Sequence, residues 1–242
     1  FKNLVHVYLD AVFYPNIYKE EKIFRQEGWH YELENKEDDL KINGVVYNEM
    51  KGAFSSPDDV AEREIMNSLY PDITYGLESG GDPEDIPDLT YEEFLSFHQR
   101  YYHPSNSYIY LYGNLDAEEY LTFLEENYLK DFDSLTIDSE IRQQESFAEK
   151  REIVKEYSIM EDEPVRENTY LTYNVSMGSS LDRKLYAAMD ILDYVLCSAP
   201  GTPVKQALID AGIGKDVYST MENGIAQPYF SIVAKNADED QK

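Results

Sequence analysis

"GVVYNEMKGAF", Gly44 to Phe54, sets one carboxylate, Glu49, among apolar neighbours in a chain whose other acids fall mostly in exposed-looking runs. Val46, Met50, Ala53 and Phe54 share one helical face, and Glu49 projects beside it. Residue type alone leaves two readings open: a half-exposed helix carboxylate, ordinary in so acidic a chain, or a metal ligand. On the N-terminal side, "GWHYELEN" and "LKINGVVY" flank the acidic turn "KEDD" and read as a hairpin, the second run also suiting a helix that starts near Gly44. On the C-terminal side "SSPDD" interrupts, and Asp58 or Asp59 is expected to cap a second helix running to about Tyr70.

Further out, Phe1, Leu4, Val5, Tyr8, Leu9, Val12 and Phe13 keep the three-and-four spacing of a helix that Pro15 stops. A loop rich in Gly, Pro and Asp follows Tyr70, and Thr90 with Glu93 makes a capping box for the helix "YEEFLSFHQRYY", which ends at "HPSN". "SYIYLYGNL" reads as a strand with a turn, and "DAEEYLTFLEENYLKDF" as another helix. Periodicity then lapses through "DSLTIDSEIRQQESFAEK", which places a boundary between domains 1–140 and 141–242. Beyond it come the strand "ENTYLTYNVSM", the helix "LDRKLYAAMDILDYVLC", a shorter helix "TPVKQALIDAG" stopped by Gly212, and the strand "PYFSIVAK". The expectation is an α+β fold of two similar units, each a mainly antiparallel sheet covered by helices.

Taken in order and spacing, "GVVYNEMKGAF", "SGGDP", "IPDLTYEEFLSFHQRYYHPSN" and "YGNL" resemble the presequence protease branch of the pitrilysin and insulin-degrading peptidases. "PGTPVKQALIDAGIG" and "AQPYFSIVAK" resemble the second domain of the same family, so the resemblance runs over the whole chain. It implies a zinc metalloendopeptidase that degrades unfolded oligopeptides in an enclosed chamber formed by two halves. In that family an inverted motif, His-x-x-Glu-His, supplies two histidine ligands and the general base, and a Glu from far downstream is the third ligand. By resemblance Glu49 is that third ligand, leaving a fourth position on Zn2+ for a water whose pKa falls to about 7.

The chain departs from the pattern at the motif itself. None of His6, His30, His98 and His103 begins or ends a His-x-x-Glu-His, so the catalytic base is expected upstream of Phe1 and the first unit is expected to be truncated at its N-terminus. The chain alone is then expected to be inactive, to hold no tight zinc, and to self-associate through surface that the absent N-terminal segment and C-terminal half would cover. The alternative is a non-catalytic structural or peptide-binding member of the same fold. His6 reads as a solvated polar-face residue and His30 as a cross-strand packing residue. The five-residue spacing of His98 and His103 turns them apart on a helix. Asn48 and Lys51, flanking Glu49, read as solvated or capping residues, and "SGGDP" as a turn that lets backbones approach closely.

Composition narrows the partners. Lys plus Arg number 21 against 48 Asp plus Glu, and the net charge of -27 repels nucleic acid and anionic lipid while favouring basic peptides. The one cysteine, Cys197, excludes an intrachain disulfide and reads as a small core residue. No run approaches the ~18 apolar residues that span a bilayer, and no leader is visible, so a cytoplasmic location is expected, with an organelle lumen open because the chain starts inside a helix without an initiator Met.

Overall fold

The computed structural model describes residues 1–242. Chain contacts divide them into two compact units, Phe1–Gly52 with Gly80–Glu140, and Ala53–Ser79 with Ile141–Lys242. Residues 53–79, expected within the first domain, therefore pack with the second unit. No helix is long and apolar enough to cross a membrane.

In the first unit α1 (Lys2–Phe13) follows the expected stripe, but only Val5, Leu9 and Phe13 are buried. They meet Tyr120, Leu124 and Tyr128 of α6 (Ala117–Leu124) and the wider π turn that extends it, while Phe1, Leu4 and Tyr8 stay exposed. Between these helices come α2 (Glu21–Glu27) and the hairpin of β1 (His30–Glu32) and β2 (Lys41–Asn43), paired Tyr31 to Ile42. The start of α3 (Val45–Ala53) follows Gly44 directly. Helix α5 (Tyr91–Tyr101), the one before α6 in this unit, begins at the Thr90/Glu93 capping box read from the sequence. Phe24 of α2 packs on Phe94 of α5 with ring centroids 5.3 Å apart, and Trp29 Nε1 donates to Leu89 O at 2.9 Å.

Residues 107–115 correct one expectation. They contain no strand, and from Tyr108 to Leu115 the backbone makes no hydrogen bond within the chain. Strand composition is present, but a strand exists only as one member of a ladder, and no neighbour supplies the other. His6 is exposed, as its polar-face position implies, and its Nδ1 also lies 2.5 Å from the Tyr128 hydroxyl, a bond that ties it to the helix-packing core.

The second unit contains α4 (Pro57–Leu69) and a three-stranded antiparallel sheet. Ser56 caps α4, accepting from Asp59 N, so the expected caps Asp58 and Asp59 occupy its first turn, where their charge suits the helix dipole. The sheet runs β3–β5–β4: β3 (Thr169–Ser176), β5 (Tyr229–Ala237) and β4 (Asp216–Glu222). Helices α7 (Arg183–Asp193) and α8 (Pro203–Asp210) contact β4, and Gly212 stops the chain after α8 at φ +69°. Ile65, Leu69 and Tyr70 close the core on Tyr229 and Val233. Inside it the Tyr70 hydroxyl donates to Gln227 O at 2.6 Å, and Gln144 and Gln227 bond each other through side chain and backbone. Buried polar groups so paired fix one arrangement of loops over the sheet.

Candidate functional site

Helix α3 is held at its start by backbone, not by apolar bulk. An added Cβ on Gly44 would lie 2.1 Å from Gly28 O and 2.8 Å from Trp29 Cα, so only glycine admits the approach of the helix to the α2–β1 turn. Asn43, the last residue of β2, completes the junction. Its Oδ1 accepts from Gly44 N at 2.8 Å and from Asn48 Nδ2 at 2.6 Å, and its Nδ2 donates to Glu32 Oε2 at 2.8 Å. Asn48 is thereby a tie between helix and hairpin and not a merely solvated flank.

Further along α3, Met50 rests on the loop "SGGDP". A Cβ on Gly80 would meet Met50 Sδ at 2.2 Å, and Gly81 has φ +91°, so both glycines serve close approach and turning. The helix is thus fixed at Gly44 and at Met50, and Glu49 stands between those points with its side chain exposed and no ion pair or hydrogen bond. Lys51 is exposed on the same helix. A carboxylate on a fixed helix with free lone pairs is fit to accept a cation or a hydrogen bond.

The histidines and the cysteine lie on other elements, each with contacts of its own. His98 Nε2 is 3.0 Å from Val12 O and its Nδ1 is 2.6 Å from the Tyr18 hydroxyl, with Tyr102 stacked on the ring at 4.5 Å. A neutral ring that donates to the carbonyl and accepts from the phenol satisfies both bonds. His103 Nδ1 accepts from Ser105 N at 3.1 Å, and His30 Nδ1 lies 2.7 Å from Arg25 O. Cys197 is buried, and burial pushes its thiol pKa up, away from the thiolate a metal needs. No group of three or more His, Cys, Asp or Glu side chains is placed to hold a metal ion. The donors of this chain therefore do not fit a zinc centre by themselves.

A family model described as Peptidase M16 inactive domain matches residues 88–241. Glu49 precedes that span. Protein HypA of Clostridium perfringens (strain 13 / Type A) is 54% identical over 238 residues, which is 98% of this chain and 24% of the relative. Presequence protease 1, chloroplastic/mitochondrial, of Arabidopsis thaliana is 40% identical over 99% of this chain and 22% of its own length. The chain thus spans about a quarter of the length of the curated relatives it matches. The crystal structure of a protease from Helicobacter pylori shares the fold at a TM-score of 0.51 and 16% identity, over 81% of this chain and 46% of that one. Sequence, helices packed with antiparallel strands, and the span of the family model agree that this chain belongs to the M16 peptidase family.

Proposed function

We propose that the chain is part of a zinc metalloendopeptidase that degrades unfolded oligopeptides in an enclosed chamber, and that Glu49 contributes one zinc ligand to it. The observation that carries this reading is an unpaired, exposed carboxylate on a helix fixed at Gly44 and Met50, within a stretch resembling the family's third-ligand segment. The other ligands and the base come, in this reading, from the remainder of the whole protein, so its N-terminal segment and C-terminal half are partners of this chain. The compartment proposed is the cytoplasm or, as the Arabidopsis relative's name says of that protein, an organelle.

The test is Glu49→Gln in the full-length protein. Expected are a loss of zinc affinity and a fall in kcat/KM on the order of 100-fold or more with the fold unchanged, because an amide is a poorer zinc ligand than a carboxylate. Unchanged zinc content and turnover would remove Glu49 from the site. The net charge of -27 further supports a preference for basic peptides that weakens as salt is raised. Matched acidic and basic substrates cleaved with equal kcat/KM at low ionic strength would refute that preference.

A second reading, a non-catalytic structural or peptide-binding member, draws on the description of the matched model as an inactive domain. Stoichiometric zinc in the full-length protein counts against it.

A further inference from the structure

Asn-Gly occurs twice in the chain, at Asn43–Gly44 and at Asn223–Gly224. In such a pair the backbone nitrogen of the glycine can close a five-membered ring on the asparagine carboxamide, and glycine sets no Cβ in the path of that attack. The two sites share this chemistry and differ in how the fold holds them.

Asn43 is immobilised. Its carboxamide bonds Gly44 N, Asn48 Nδ2 and Glu32 Oε2, and Gly44 is pressed against the backbone of Gly28 and Trp29, so neither group turns toward ring geometry. Asn223 lies in the turn between β4 and β5, half-buried, with no hydrogen bond to its carboxamide, and Gly224 beside it is exposed. The Gly224 N–H donates to Glu222 Oε1 at 2.7 Å. A carboxylate thus rests on the one proton that must leave before Gly224 N becomes a nucleophile.

We propose that Asn223 is a self-modification site, at which the chain closes a succinimide with Glu222 as general base and opens it to aspartate and isoaspartate. Gly224 N attacks Asn223 Cγ as its proton passes to Glu222. Glu222 returns that proton to Nδ2, and the Cγ–Nδ2 bond breaks to release ammonia. Water then adds to one of the two ring carbonyls. Opening at Cγ breaks its bond to Gly224 N and leaves aspartate; opening at the main-chain carbonyl leaves isoaspartate, with the backbone now running through Cβ and Cγ. Either product has taken up one water, lost one ammonia and added one negative charge to the chain's -27.

Position gives the reaction a consequence. Ala226 N donates to the Tyr75 hydroxyl at 2.8 Å, and Gln227 O accepts from the Tyr70 hydroxyl at 2.6 Å. Isoaspartate lengthens the backbone by one atom just ahead of these two anchors, which join the loop to the end of α4 and the turn after it. The modified loop loosens contacts that close the core, so conversion marks the age of a molecule.

Peptide mapping by mass spectrometry of the full-length protein, aged at neutral pH, tests it. Asn223 should gain one mass unit and become sensitive to hydroxylamine, which attacks succinimides, while Asn43 stays intact. After unfolding in urea the two should convert at similar rates, and Asn223 more slowly than in the fold. Glu222→Gln should slow conversion at Asn223 by about 10-fold, less than a positioned base supplies in an enzyme. Gly224→Ala adds a Cβ that meets only the end of the Glu222 side chain, at 3.0 Å, and should slow conversion with the circular dichroism spectrum unchanged. Amide exchange at Ala226 should quicken in the isoaspartyl form. Folded Asn223 converting no faster than Asn43, or no faster than in urea, overturns the proposal, and so does an unchanged rate in Glu222→Gln or in Gly224→Ala.

Discussion

Gly44 has no room for a methyl group, since all three atoms that a Cβ would strike, Gly28 O, Gly28 C and Trp29 Cα, belong to backbone and cannot swing aside. Gly44→Ala should cost about 1–3 kcal/mol in urea unfolding, the usual range for overpacking. Gly52, on the same helix, is the matched control: a Cβ there meets nothing within 4 Å, so Gly52→Ala should be neutral or stabilise by up to about 1 kcal/mol. Equal losses at both positions would show that α3 tolerates no added bulk and that the Gly28 contact is not special. At this scale the sequence was readable only in part. Glu49 stood out through its apolar neighbours and through resemblance, while its exposure and the Asn43 tie that fixes its helix depend on the fold of the hairpin against α3, which residue pattern alone does not display. The exposure of His6 was readable from its polar-face position, but its bond to a tyrosine that arrives from 122 residues away was not.

The contact of α4 with the sheet of the second unit is fastened by an ion pair. Lys235 Nζ on β5 donates to Asp58 Oδ1 and Oδ2 at 2.9 and 2.6 Å, and the Tyr170 hydroxyl on β3 adds a bond to Oδ1 at 3.0 Å. The Lys235 bond holds the Asp58 carboxyl below its ordinary 3.8, with partial burial opposing and Tyr170 assisting. A depressed carboxyl stabilises the fold at pH above 3.8, and that contribution fades as pH falls through the lower folded value. Asp58→Asn should therefore be less stable at pH 7 by about 0.5–1 kcal/mol, a surface-pair magnitude, with the gap closing in acid. A gap unchanged down to pH 2 would mean that shape, not charge, supplies the effect. Elements whose signals are local were legible: the Thr90/Glu93 box sets the start of α5 within four residues of sequence. Strands were less so. β4, "DVYSTME", passed unread because its alternation mixes Val217 and Met221 with short polar residues, and "SYIYLYGNL" was read as a strand although nothing pairs with it.

For the molecule as a whole, the 242-residue chain should show no chelator-sensitive hydrolysis of a quenched fluorescent peptide and should retain only sub-stoichiometric zinc after dialysis. Peptide hydrolysis by this chemistry needs three fixed ligands and a separate base, and no group of three His, Cys, Asp or Glu side chains is assembled in this chain, so Glu49 would offer one of those four groups. Hydrolysis at the rate of a complete relative would mean that Glu49 is not the chain's only contribution. The division of the second unit into two stretches of sequence, Ala53–Ser79 and Ile141–Lys242, has a consequence for the chain as it is made. Tyr70 leaves the ribosome 157 residues ahead of Gln227, whose carbonyl it must reach. At about 5–20 residues per second that is a wait of about 8–30 s, in which the apolar side of α4 has no sheet to cover it. Over that interval the nascent chain should bind a holding chaperone, and slowing its translation should lengthen the association.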